Sequence, residues 1–236
     1  MTLNNAMYIK KEKEPVSAEK IIRIISVIIS AVSVLYLGSA AIAGNSWLPF
    51  IQLEAGTSEM TLAIIECMLA VIAVHVPMLI QKITKVRIPD YLSIFFYIFV
   101  LCATVLGEMF SLYYLIPVWD SILHFGSGMM LGLLGSLLVV TFLENKGCEK
   151  LISPMVIAIA AVCFALSIGV LWEVYEFSGD YFLGLNMQKT ALQDGTGLVG
   201  QAAVMDTMKD LILDFLGAAA VAVIGCANVK KNRISF

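Results

Sequence analysis

Charge is scarce in this chain. Asp, Glu, Lys and Arg make up 14% of its 236 residues, hydrophobic side chains 60%, and the mean hydropathy is +0.90. That balance excludes an ordinary soluble domain and fits a bundle of membrane spans. Histidine is scarcer still, with only His75 and His124. There is no Cys-x-x-Cys, no His-x-x-x-His and no serine or cysteine nucleophile motif. A structural zinc site and covalent hydrolysis by an activated serine are therefore not expected. Cys67, Cys102, Cys163 and Cys226 fall in apolar runs and Cys148 in a loop, spaced for neither disulfides nor zinc, so they read as packing residues. The chain has neither internal repeats nor low-complexity tracts, and its net charge of −3 offers nothing to a nucleic acid.

What is present is a series of long apolar stretches. A spanning helix needs about 20 such residues. Six segments qualify: 21–43, 61–80, 91–106, 121–142, 154–172 and 211–229. Their continuous hydrophobicity reads as helix, not as the alternation of a barrel strand. The expected fold is an all-α, polytopic membrane helix bundle. A polar tail over 1–20 precedes a six-helix transmembrane domain over 21–229, and a basic tail over 230–236 follows it. The first span starts too late and runs too long for a cleavable signal peptide, and has no clear cleavage site.

Basic residues orient the bundle. Thirteen of the fifteen Lys and Arg fall on one predicted side, leaving Lys189 and Lys209 on the other. The positive-inside rule makes both termini cytoplasmic. Trp47, Trp119 and Trp172 then all reach the outer interface, where an aromatic belt is expected. One connection is long, about 177–209, with a turn at Asp194-Gly195-Thr196-Gly197. Long connections outside compact bundles tend to carry function. Glycines at 126, 128, 132 and 135 in the fourth span, and Gly217 to Ala220 in the sixth, allow close helix approach and place those two spans near the centre.

Acidic residues gather at the same outer end. Asp120 and His124 are one turn apart; Glu173, Glu176 and Asp180 follow at i, i+3 and i+7; Asp206, Asp210 and Asp214 repeat every four residues. Glu108 ends the third span. Asp120, Asp206 and Asp210 stand at N-terminal helix ends, where the macrodipole welcomes a carboxylate, so plain capping competes with a functional role. Glu108, Glu173 and Glu176 are expected at C-terminal ends, where the dipole opposes them. Two lysines are too few to balance eight acids, which points to a bound cation or shared protons. Asp120, His124, Glu173, Asp206 and Asp210 are the candidate metal ligands; Glu176 or Asp180 is the candidate general base; Glu108 and Asp214 complete the cluster. Carboxylates with one imidazole suit Mg²⁺, Mn²⁺ or Ca²⁺ better than Zn²⁺. Glu66, one turn below the outer face, is a further candidate, while His75 reads as a core histidine.

The segments Trp119-Asp120-x-x-Leu123-His124-Phe125-x-x-Gly128, Trp172-Glu173-x-x-Glu176-x-x-x-Asp180 and Asp206-Thr207-x-x-Asp210 ahead of Gly217-Ala218 carry a family likeness. The chain resembles the YjdF-type family of bacterial inner-membrane proteins from about the second span onward. More remotely, the Asp-x-x-x-His-Phe element is similar to one in VanZ-like proteins, although span number and spacing differ. The resemblance implies a multi-pass protein of the bacterial cytoplasmic membrane and supplies no reaction.

Three function classes fit these residues. The first is a metal-assisted hydrolase or transferase acting on a lipid or envelope headgroup, with the long connection as a lid. The second is a proton or cation transporter, although little ionisable continues toward the cytoplasm. The third is a non-catalytic membrane component with a structural cation site. Membrane lipid is the expected surrounding partner, nucleic acid is not expected, and the oligomeric state is not specified by any of these patterns.

Overall fold

A computed structural model describes residues 17–44, 48, 51, 53–54, 56–147, 153–192 and 194–234, with side chains up to residue 225. Trp47, Cys148 and most of the predicted tail over 1–20 lie outside the described residues, as do the side chains of Cys226 and of the basic tail. The helices are α1 (Ala18–Ala43), α2 (Ser58–Ala73), α3 (Val76–Thr84), α4 (Asp90–Leu101), α5 (Leu112–Leu115), α6 (Trp119–Glu144), α7 (Pro154–Leu183) and α8 (Met205–Ile234). Among the described residues, five helical stretches are long and apolar enough to cross a membrane: Ala18–Ala43, Ser58–Thr84, Asp90–Met109, Trp119–Glu144 and Pro154–Leu183. The protein is thus an all-helical, multi-pass membrane protein. The predicted sixth span lies within α8.

Local chemistry sets the helix ends. Ser17 caps α1 by accepting from the Lys20 amide at 3.3 Å, and Gly44 closes it at φ 77°. Thr57 caps α2 by accepting from the Met60 amide at 3.3 Å. The second predicted span is interrupted at Val74–His75, because Pro77 enters the next turn without an N–H to continue the ladder. His75 consequently sits exposed at the break and not in a core. The third span ends as a π-helix over Cys102–Met109, with the Phe110 amide donating to the Val105 carbonyl five residues back at 3.0 Å. The Trp119 indole N–H donates to the Cys102 carbonyl at 3.3 Å, tying the start of α6 to the start of that π-turn.

The helices form two groups. In the first lobe, α1 packs on α2 and α4, and the π-helix packs on α2. In the second, α6, α7 and α8 all pack on one another; α4, α5 and the π-helix touch α6 to join the lobes. Leu37, Met60, Cys67 and Val105 fill one layer of the first lobe, and Val74, Tyr97 and Val100 another. The second lobe closes through glycine instead. A Cβ on Gly128 would collide with the Asp214 backbone, one on Gly217 with the Phe125 carbonyl, and one on Gly169 with the Asp214 carboxylate. Backbone-to-backbone approach of α6 and α8 is the role expected of their small residues.

One boundary needs correcting. The fifth span does not stop at Trp172: α7 continues through Leu183 and ends at Gly184, φ 67°. Glu173 and Glu176 are therefore interior helix residues, both buried, and do not oppose a helix C-terminus. Their polarity reads as a span end in the sequence, but their spacing places them on the inward face of a longer helix. The expected connection over 177–209 shrinks accordingly to 184–199, before a 3₁₀ turn at Gly200–Val204 and the start of α8.

Candidate functional site at the outer end of the second lobe

Helical register assembles the site from three elements. Asp120, His124 and Ser127 follow at i, i+4 and i+7 on α6, and Asp206, Asp210 and Asp214 at i, i+4 and i+8 on α8. Because glycine lets these two helices touch, the two ladders face each other at contact distance. The result is a tiered cluster.

The middle tier centres on His124, which is buried. Its Nε2 lies 3.6 Å from Asp120 Oδ1 and 4.0 Å from Asp210 Oδ2. Asp120, His124 and Asp210 each offer a ligand atom within 4.8 Å of the others. The inner tier holds the other side of the ring: His124 Nδ1 is 3.5 Å from Asp214 Oδ2, and Asp214 Oδ1 accepts from the Ser127 hydroxyl at 2.7 Å. A proton on Nδ1 donated to Asp214 leaves the Nε2 lone pair facing two carboxylates, the tautomer used by metal-bound histidines.

The outer tier is cationic. Lys189 Nζ reaches Asp120 Oδ2 at 2.5 Å and Asp206 Oδ1 at 3.0 Å, while Lys209 Nζ lies 3.4 Å from Asp206 and 3.5 Å from Asp210 Oδ1. Burial by itself would lower the Lys189 ammonium, but the carboxylates of Asp120 and then Asp206 outweigh it and hold the group above the ordinary lysine range. The connection is shaped to deliver this lysine. Asp180 accepts from the Met187 and Gln188 amides at 2.6 and 3.0 Å, and Gln188 Nε2 donates to Thr207 Oγ1 at 3.0 Å and to Glu173 Oε2 at 3.4 Å. Lys189 itself adopts φ 49°, a left-handed conformation uncommon outside glycine and asparagine. The expected turn at Asp194 is present, with the Thr196 amide donating to Asp194 Oδ1 at 2.9 Å.

Two buried oxygens of the cluster remain without a hydrogen bond: Asp210 Oδ1 and Glu173 Oε1. Lys209 is within ion-pair reach of the first and makes no hydrogen bond to it. Carboxylates also outnumber ammonium groups here: four aspartates, at 120, 206, 210 and 214, face Lys189, Lys209 and the His124 imidazole.

The remaining sequence candidates have other neighbours. Asp206 is tied to both lysines, Asp180 to the loop amides, and Glu176 Oε1 to the Trp172 indole at 2.8 Å. Glu66, buried on α2, accepts from the Tyr175 hydroxyl of α7 and links the two lobes. Glu108 belongs to the same region, since it, Asp120, Glu66 and Glu176 all act on Tyr113, whose phenol is raised well above its ordinary value by burial first and then by those carboxylates. Sequence reading misses Ser127, Thr207, Gln188 and Gly169. The first two lie one turn beyond His124 and one residue beyond Asp206, so helical spacing alone was enough to find them; Gln188 and Gly169 carry no local signal.

The fold and the cluster together define a class: multi-pass helical membrane proteins with a buried Asp–His constellation at one end of a glycine-packed helix pair. The chain belongs to the family described as "Predicted membrane protein (DUF2238)", whose profile matches residues 35–231. It is 29% identical over 155 residues to a protein of Thermotoga maritima described as "Uncharacterized protein", covering 63% of this chain and 68% of that one. No solved structure matches.

Proposed function

We propose that the second lobe holds a divalent cation between Asp120, His124 and Asp210 at the extracytoplasmic face, and that this cation serves metal-assisted hydrolysis or transfer on a lipid or envelope headgroup. The observation that carries the reading is the His124 ring: Nδ1 engaged by Asp214, Nε2 turned toward two carboxylates, one of which keeps a buried oxygen without a hydrogen bond. The excess of carboxylates over lysines in the cluster suits a bound cation. Oxygen-rich ligation with one imidazole favours Mg²⁺, Mn²⁺ or Ca²⁺. Glu173, with its free oxygen, is a fourth ligand or the group that orients water, and Glu176 stands one turn away as general base. Asp206 and Asp180 position Lys189 and its loop.

An anionic headgroup suits this entrance, because Lys189 and Lys209 flank the cation from outside. An apolar cavity of about 460 Å³ between α4 and α6, lined by Phe95, Phe99, Trp119 and Ile122, starts one residue from Asp120 and suits an acyl chain. It contains none of the cation ligands and is not itself the site. With six spans and both termini in the cytoplasm, the cluster faces the outside of a bacterial cytoplasmic membrane, as the distribution of lysines supports.

The test is metal content by mass spectrometry on detergent-purified protein, beside an Asp120→Asn/His124→Ala variant. Near one equivalent in the wild type, lost in a variant that still melts cooperatively, supports the site. A wild type that neither carries nor is stabilised by Mg²⁺, Mn²⁺, Ca²⁺ or Zn²⁺ refutes it. Metal without turnover of any envelope lipid assigns the cation a structural role.

A further inference from the structure

Serine inside a membrane helix usually satisfies itself. Ser136, Ser167 and Ser178 each turn the hydroxyl back to a carbonyl four residues earlier, at 2.6 to 2.9 Å, and Thr104 does the same to Val100 at 2.9 Å. Ser26 and Ser30 do not. Both are 0% exposed, and neither hydroxyl has a partner. They lie one turn apart on the face of α1 that packs on α2 and α4. Buried Ser33 continues the stripe outward, and Arg23 extends it the other way with an Nε that is likewise buried without a hydrogen bond.

An unmet buried hydroxyl costs about 1–3 kcal/mol, and more where no water can reach it. Two stacked on one face, beside an unmet guanidinium N–H, form the kind of polar lining that ordered water satisfies. The stripe has a defined beginning. At the basic end, the Tyr97 hydroxyl donates to Glu19 Oε1 at 2.6 Å, and Arg23 Nε stands 3.7 Å from the same oxygen. It also has an end. One turn beyond Ser33, Leu37 packs in an apolar layer with Met60, Cys67 and Val105. From Ser26 to Ser33 the helix rises about 10 Å, a third of a bilayer core.

We propose that the first lobe contains a file of water molecules running from the Glu19–Arg23–Tyr97 cluster along Ser26 and Ser30 to Ser33, entered from the side carrying the chain termini. The file belongs to the first lobe and stands whether or not the second lobe binds a cation.

The test uses the full chain in proteoliposomes, with its own cysteines replaced by alanine and with Ser26→Cys, Ser30→Cys or Ser167→Cys introduced singly. A charged, water-soluble thiol reagent added on the side of the termini reacts at positions 26 and 30 and spares 167, which is exposed on the outside of α7. Failure to react at both 26 and 30, in protein that melts like its parent, overturns the proposal. If the cysteine variants do not fold, a Ser26→Ala/Ser30→Ala variant of the otherwise unchanged chain decides the matter. In a dry interface, removing two unmet hydroxyls raises the melting temperature, which overturns the proposal. In a wet one the melting temperature holds or falls.

Discussion

The two lobes differ in what they bury most. The first fills its interior with large apolar side chains such as Leu37, Met60, Val74 and Tyr97. The second buries small residues and charges: Ala161, Ala165 and Ala218 beside His124, Glu173, Glu176, Asp210 and Asp214. Between membrane helices there is no hydrophobic drive to hide leucine, because lipid is equally apolar. Close backbone contact and satisfied polar groups have to supply the association instead. The second lobe spends its close contacts on positioning carboxylates, and that is why the site lies there.

The sharpest way to break the comparison is to deny the second lobe its close approach. Gly128→Val and Gly217→Val drive a side chain into the backbone of the facing helix, and overpacking of that kind costs about 1–3 kcal/mol or more. Both variants are expected to lose the folded population in detergent, read by size-exclusion chromatography and thermal melting. Gly126→Ala, whose Cβ meets only Phe95 Cζ at 3.7 Å, is expected to melt like wild type. Equal tolerance at all three positions means the lobe is not held by glycine contact.

Next in size comes the cluster itself. Asp214→Asn keeps the shape beside Gly169 but weakens the acceptor for His124 Nδ1. Loss of such an orienting partner typically costs about 10- to 100-fold in metal affinity. Titration of Mn²⁺ into the purified variant checks it, with Asp210→Asn expected to lose more, since its carboxylate faces Nε2 directly. An Asp214→Asn variant with unchanged affinity leaves the inner tier a packing device only.

The contrast also explains what was legible in the sequence. Apolar length gave the spans, and the spacing of Asp120 with His124 and of Asp206, Asp210 and Asp214 gave two faces of the cluster, because helical periodicity is local. The end of α7 was not legible. Glu173 and Glu176 read as the C-terminal end of a span, and only the longer α7, packed on α6 and α8, makes them interior. Gln188 and Lys189 reach the site through a connection whose path depends on Asp180 holding two amides, a contact that spacing does not encode. The π-turn containing Glu108 and the break before Pro77 differ in the same way: the second has a local cause in proline, and the first has none in its own residues.

The lobes meet through Glu66 and Tyr175, and here a smaller effect is expected. Tyr175→Phe leaves a buried carboxyl without its hydroxyl partner, at a cost of about 1–3 kcal/mol. Glu66→Gln combined with Tyr175→Phe should recover part of it, because an amide is cheaper to bury unpaired than a carboxylate. Thermal melting of the two single variants and the double one measures the coupling. Strict additivity would break the idea that this contact joins the lobes.

The smallest effect belongs to Lys189. Its side chain is 44% exposed, so solvent screens the bridge to Asp120 and Asp206 and its contribution stays at or below about 1 kcal/mol. The sign with pH is nonetheless fixed. A lysine whose folded value is raised binds its proton more tightly in the native state than in the unfolded chain. Its stabilisation is therefore fully present below the ordinary lysine value and is lost only as pH rises through the raised one. The melting difference between wild type and Lys189→Met should stay flat from neutral pH to about pH 9.5, below the ordinary lysine value of about 10.4, and shrink at higher pH. A difference that already fades between pH 7 and pH 9 would mean that burial of the ammonium prevails over its two aspartates. The outer tier would then be a desolvated lysine awaiting an anion, instead of a bridge already closed on the rim of the site.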